Sequence, residues 1–197
     1  ENVNITGCRV LDSPNNVYML FNNVNSTTTC FNITADNVTL DLNSKNITGA
    51  RNGYGIYTSG YKNINISRGG NIQNFTTAIY FNYTNNSAIS NLNIKENNGV
   101  YSGIYLLNSN YNNLTYINYL YNNASNNSGL FIGASSYNRV MNNYFDSNNV
   151  THTSGYLYGA PILGVYRNSL GNVFDNNTFV NNRVVITGSN YIYGGGI

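Results

Sequence analysis

The feature that most constrains this chain is a short internal repeat. Gly55-Ile56-Tyr57 recurs as Ala78-Ile79-Tyr80, Gly103-Ile104-Tyr105 and Gly129-Leu130-Phe131, with weaker copies at Pro161-Ile162-Leu163 and Val184-Val185-Ile186. Successive starts lie 23, 25, 26, 32 and 23 residues apart. After each start comes a second apolar pulse: Ile64/Ile66, Ile89/Leu92/Ile94, Leu114/Ile117, Val140/Tyr144 and Leu170/Val173. A third pulse ends on an asparagine pair, as at Asn122-Asn123, Asn148-Asn149 and Asn176-Asn177. Inside the pulses polar and apolar residues alternate, as in Asn63-Ile64-Asn65-Ile66-Ser67, which is the period of a half-buried strand. Gly, Asn and Ser interrupt the runs too often for a helix. Three short strands cannot bury their inner faces alone, but stacked copies share one core.

The repeat therefore predicts an all-β fold, a single parallel β-helix. At about 25 residues per coil the chain would make about eight coils, near 40 Å long at the strand spacing. A leucine-rich repeat would need an L-x-x-L-x-L frame and a helical segment, and neither is evident. A β-sandwich is the structural alternative. The expected layout is one domain over residues 1–197, with amino-terminal coils in 1–49, repeat coils in 50–183, and a carboxyl-terminal strand with a Gly-rich tail in 184–197.

Composition narrows the chemistry. Only 8% of the 197 residues are charged and the net charge is +2, against about 25% charged in an ordinary domain. That leaves no basic patch for nucleic acid, and no apolar run approaches the roughly 18 residues of a membrane span. The chain holds 44 Asn and 3 Lys. Codon bias toward Asn would raise Lys as well, so the neutral amide itself is what is favoured. Asn tolerates the left-handed backbone of a sharp corner, and stacked amides form hydrogen-bonded ladders.

Cys8 and Cys30 are the two cysteines. Bracketing the start of a solenoid, they read as one disulfide, with two buried thiols as the alternative. A disulfide implies an oxidising compartment. No signal peptide is visible, which fits a processed chain beginning at Glu1.

The stretch Gly7-Cys8-Arg9-Val10-Leu11, Tyr18-Met19-Leu20, Thr29-Cys30-Phe31-Asn32-Ile33-Thr34-Ala35-Asp36-Asn37-Val38-Thr39-Leu40-Asp41-Leu42 and Ile47-Thr48-Gly49 resembles the opening of secreted right-handed parallel β-helix proteins. These are of the NosD-like, carbohydrate-binding and sugar-hydrolase (CASH) type, abundant on archaeal cell surfaces. Later coils such as Asn138-Arg139-Val140-Met141-Asn142-Asn143-Tyr144-Phe145 resemble them too. The resemblance implies a right-handed coil and an extracellular location. It leaves activity open, because members range from lyases to adhesins.

Fourteen Asn-x-Ser/Thr sequons stand at Asn4, Asn25, Asn32, Asn37, Asn46, Asn65, Asn74, Asn82, Asn85, Asn113, Asn123, Asn126, Asn149 and Asn176. Chance predicts about half as many, so a surface that carries N-linked glycans is expected. The bland explanation is that alternation places Asn and Thr together on the outer face. Asn85, Asn123 and Asn126, at strand-edge turns, look most accessible.

No catalytic, cofactor or metal residue is expected. Aligning Asn138-Arg139-Val140 with Asn168-Ser169-Leu170 would bring Asp146 near Asp175 on adjacent coils, with Arg139 and Arg167 nearby, a possible acid/base or calcium pair. No third carboxylate joins them, and each follows a Phe as a turn residue would. His152 is the lone histidine, so a His-based triad or zinc site is not expected. The 32-residue coil from Gly129 to Pro161 places extra chain near Val150–Gly159, which reads as a surface loop where Tyr156 and Tyr158 could stack on sugar. Tyr57, Tyr80 and Tyr105 share a repeat position and should stack.

No capping helix is evident at either end, and open strand edges pair with further chains. The expected role is thus an extracellular structural or adhesive surface protein, the glycosylated subunit of a head-to-tail homopolymeric filament and not an enzyme. The alternative is a module that binds or cleaves extracellular polysaccharide.

Overall fold

A computed structural model describes residues 1–153, 155–158, 161–187 and 190–193. Among these there are strands and turns but no helix, and the strands pair in parallel to wind a right-handed β-solenoid of about six turns. One side of the coil is a seven-stranded sheet: Arg9–Leu11, Phe31–Ile33, Tyr54–Ser59, Thr77–Asn82, Ile104–Leu107, Leu130–Gly133 and Leu163–Tyr166. Seven strands bound six turns, fewer than the eight expected from length. The coil from Leu130 to its partner Leu163 is longer than the others, and residues outside Arg9–Tyr166 only partly complete a coil.

A thirteen-stranded sheet supplies two further sides. They merge because Ala88–Lys95 and Asn113–Leu120 run straight through the corner, with left-handed Asn91 and Tyr116 in mid-strand. From Asn98–Tyr101 onward the coil gains a fourth side, continued by Asn123–Asn127, Asn149–His152 and Arg183–Ile186.

Inward residues stack in columns. Val24, Ile47, Ile72, Ile94, Tyr119, Phe145 and Phe179 are in register from coil to coil. The rings of this column lie flat on one another, with centroids 4.3 Å apart for Tyr119–Phe145 and 4.7 Å for Phe145–Phe179. Each such buried side chain stabilises the fold by about 1.5–3 kcal/mol.

The corners follow one rule. A residue with positive φ precedes an asparagine whose side chain turns inward: Glu96-Asn97, Tyr121-Asn122, Ser147-Asn148 and Asn181-Asn182 form one such column. A corner breaks the strand ladder and would orphan backbone groups. The amides replace the lost partners. Asn97, Asn122 and Asn148 each donate both the backbone N–H and side-chain Nδ2 to Oδ1 of the next Asn, at 2.9–3.1 Å. Their second Nδ2 hydrogens go to the Ile72, Ile94 and Tyr119 carbonyls of the preceding coil. Parallel columns run through Asn112, Asn138 and Asn172 and through Asn143 and Asn177. The expected amide ladders are therefore present. Tyr83, Tyr111, Tyr116, Tyr121 and Tyr137 also take left-handed corners, which bulky residues rarely do.

Glycine opens the Gly-Ile-Tyr repeat for a steric reason. A Cβ on Gly103 would fall on the Gly129 carbonyl oxygen of the next coil, and one on Gly129 would meet the Ile162 carbonyl oxygen.

The last two repeat copies are corrected by the structure. Leu130 pairs with Leu163, so the Pro161 copy is shifted by one residue. Val184-Val185-Ile186 belongs to the fourth side, paired with Asn149–His152 through Val150↔Val184 and His152↔Ile186.

Candidate binding face

The outer surface of the seven-stranded sheet carries a row of aromatic rings. Strand alternation points Ile56, Ile79 and Ile104 inward and turns Tyr57, Tyr80 and Tyr105 outward at the same register position. Phe131 continues the row, tucked beneath its neighbours. Centroids are 5.5 Å apart for Tyr57–Tyr80, 4.8 Å for Tyr80–Tyr105 and 5.5 Å for Tyr105–Phe131. Tyr54 and Tyr101 flank the row, 5.4 Å from Tyr57 and 4.5 Å from Tyr105.

Ring orientation decides what the row offers. Tyr80 and Tyr105 are nearly parallel at 6° and cover each other's faces, so they present edges and hydroxyls outward. At the ends the rings tilt, by 51° for Tyr57–Tyr80 and 68° for Tyr105–Phe131. Two grooves open there. One, of about 680 Å³, is lined by Arg9, Val10, Asn32, Tyr54, Tyr57 and Tyr80, beside the Cys8–Cys30 disulfide. The other, of about 410 Å³, is lined by Tyr101, Tyr105, Phe131, Tyr166 and Arg167 among others, with the Arg167 guanidinium 5.2 Å from the Tyr166 ring centre. Burial, then the Tyr54 and Tyr57 phenols, raises the Tyr80 phenol above the ordinary tyrosine range. Burial, then Tyr101 and Tyr80, does the same for Tyr105, opposed by Arg167. Both hydroxyls thus stay protonated and able to donate. Arg9, Tyr54, Tyr101 and Tyr166 escaped sequence reasoning because they lie outside the Gly-Ile-Tyr frame. The signal that found the core of the site was the shared repeat position.

The carboxylates are not brought together. Asp146 is in register with Leu120 and Val180, whereas Asp175 is in register with Met141 on another strand of the coil. The expected pairing took Asn168 as the corner residue, but the amide column runs from Asn138 to Asn172, four residues further on. His152 is buried, with Nδ1 2.9 Å from the Ser125 carbonyl oxygen. Among the described residues no group of three His, Cys, Asp or Glu gathers that could hold a metal ion.

The extra chain after His152 is a strand and not the expected loop: Gly155–Tyr158 pairs with Asn190–Tyr193. Tyr156 is exposed. Ser154, Gly159, the Tyr158 side chain and the tail at 194–197 lie outside the described residues. None of the fourteen sequon asparagines is buried, and Asn4, Asn25, Asn37, Asn113, Asn123 and Asn176 are exposed. Asn85 and Asn126, expected among the most accessible, are half-buried. No helix among the described residues is long and apolar enough to cross a membrane.

The class these features define is a disulfide-stapled parallel β-solenoid with an aromatic outer face. Comparison with protein-family models, curated proteins and solved structures finds no match.

Proposed function

We propose that this chain is an extracellular adhesive or structural protein that docks polysaccharide on its tyrosine face. The observation that carries the reading is the ring row from Tyr54 to Phe131, with a groove and an arginine at each end. Tilted ring faces suit the apolar faces of sugar rings, and protonated phenols suit their hydroxyls. Tyr57, Tyr80 and Tyr105 stand on three successive rungs at the strand spacing, so an extended glycan could meet a phenol hydroxyl at each rung and a tilted ring face at the ends. The disulfide fits an oxidising compartment, and the resemblance to archaeal CASH-type β-helices fits a cell-surface setting.

The test is retardation of the disulfide-intact chain in native gels cast with soluble neutral and acidic polysaccharides, plus co-sedimentation with insoluble ones. At least one polymer should retain the protein, and Tyr57→Ala with Tyr105→Ala should release it while Tyr83→Ala, at a corner off the face, does not. Retention by none, or equal retention of the double variant with its circular dichroism unchanged, overturns the reading.

A second reading, a head-to-tail homopolymer, is favoured by one observation: the last described coil exposes Leu170, Val173, Phe174 and Val184. A second copy stacked there by its first coil would leave Arg183–Ile186 unpaired, because the fourth side starts only at Asn98–Tyr101. Sedimentation velocity across a hundredfold range of concentration decides it: growing polymers support the reading, and a persistent monomer overturns it.

A further inference from the structure

The fourteen sequons do not stand in equivalent surroundings. N-glycosylation needs an asparagine Nδ2 that can leave the surface and a hydroxyl two residues on that the transferring enzyme can read. In three sequons that hydroxyl is sealed: Thr84 after Asn82 is fully buried, Ser87 after Asn85 is 4% exposed, and Ser128 after Asn126 is fully buried. Thr84 Oγ1 donates to the Asn82 carbonyl, and Ser87 Oγ donates to the Asn85 carbonyl, so both hydroxyls belong to the corners. In three others the Asn nitrogen is tied into an outer ladder. Asn37 Nδ2 donates to Asn15 Oδ1 at 3.1 Å, Asn149 Nδ2 to Asn123 Oδ1 at 3.0 Å, and Asn176 Nδ2 to Asn142 Oδ1 at 2.7 Å.

Asn4, Asn25, Asn113 and Asn123 are different. All four are exposed, and Thr6, Thr27 and Ser125 are exposed while Thr115 is half-buried. Asn123 uses only Oδ1, as acceptor from Asn149, and a sugar on its Nδ2 leaves that bond intact. Asn4 lies in Asn2–Ile5 and Asn113 in Asn113–Leu120, on one side of the coil. Asn25 lies in Val24–Ser26 on the next side, and Asn123 in Asn123–Asn127 on the fourth. Of the sequons on the seven-stranded side, Asn32 is half-buried in the groove between Val10 and Tyr57, and Asn82 has the buried hydroxyl.

We propose that the folded chain accepts N-linked sugar at Asn4, Asn25, Asn113 and Asn123, so that glycans coat three sides of the solenoid and leave the tyrosine side bare. The donor is a polyprenyl-phosphate-activated oligosaccharide. The Asn Nδ2–C1 bond forms, the C1–O bond to phosphate breaks with its electron pair leaving on the lipid phosphate, and one amide proton passes to base. The proposal stands on sequon geometry and does not require the tyrosine face to bind anything.

The test incubates the folded, disulfide-intact chain with an archaeal-type single-subunit oligosaccharyltransferase and its lipid-linked donor. The reduced, urea-unfolded chain, diluted from denaturant into the same mixture, serves as the comparison. Sites are mapped by enzymatic deglycosylation in ¹⁸O-water and mass spectrometry. In the folded chain, occupancy at Asn82, Asn85 and Asn126 should fall about tenfold or more below that at the four acceptors, since each needs a local opening first. In the unfolded chain the contrast should vanish. Replacing all four acceptors by Gln should remove most of the sugar from the folded chain. Equal occupancy at Asn82, Asn85 or Asn126, identical folded and unfolded patterns, or no transfer to the folded chain would each overturn the proposal.

Discussion

Asn122 gives its backbone N–H and its side-chain Nδ2 to the same oxygen, Oδ1 of Asn148, at 3.1 and 3.0 Å. One amide thus closes the corner of its own coil and clamps the coil above.

Replacing Asn122 by Ala should orphan three buried groups at once: the Asn97 N–H, one Nδ2 hydrogen of Asn97 and the Ile94 carbonyl, while Asn148 Oδ1 keeps the backbone N–H of residue 122. At about 1–3 kcal/mol per unsatisfied group, partly relieved by relaxation, stability should drop by about 3–5 kcal/mol. Urea unfolding should show a lower midpoint with an unchanged slope. Asn123→Ala, one residue away on the outer surface, should change the midpoint little.

Tyr119 makes the opposite case. Its ring is buried between coils, but its hydroxyl finds no hydrogen-bond partner among the described residues. Tyr119→Phe should therefore raise stability by about 1 kcal/mol, read as an increase in the melting temperature at pH 7.

The same residue sets an alkaline limit. Burial raises the phenols of Tyr80, Tyr105 and Tyr119 above the ordinary value of 10.0. An acid whose folded pKa is raised holds its proton longer folded than unfolded. Its stabilisation is complete below pH 10 and falls as pH climbs above it, because the unfolded chain then ionises first. The melting temperature should be flat from pH 7 to 9 and decline above 10, and Tyr119→Phe should lessen that decline. Absorbance at 295 nm should show a slow fraction of tyrosines that titrates only on unfolding.

Reducing Cys8–Cys30 opens a link between residues 22 apart in sequence. By loop entropy the loss is about 3 kcal/mol. Because each coil contacts only its neighbours, the loss should be local. Hydrogen exchange should quicken first in Asn2–Ile5, Arg9–Leu11 and Phe31–Ile33, before it changes in Ile104–Leu107.

How much of this was legible in the residues depends on whether neighbours in sequence were also neighbours in register. Ile56, Ile79 and Ile104 fall at steady intervals, so the inward column and the outward tyrosine row could be read directly. The solenoid, its parallel strands and the asparagine ladders followed. The reading failed where the interval changed. Taking Asn168 for Asn172 moved Asp175 onto the wrong strand, and Val184 was assigned to the seven-stranded side because nothing in three-strand periodicity announces a fourth side. The grooves were invisible for a similar reason: Arg9 opens a strand before the Gly-Ile-Tyr frame begins, Arg167 approaches the rings from a left-handed corner, and corner geometry depends on backbone angles that Tyr83 and Tyr137 show a sequence rule would have excluded.

The 34-residue step from Asn148 to Asn182 carries eight more residues than the 26-residue step below it, yet both amides meet their partners identically. The clamp reads only whether the chain returns to the corner, and is indifferent to the path taken in between. Such a scaffold can lengthen a single turn, and decorate one flank with new segments, while the rest of the tower keeps its alignment.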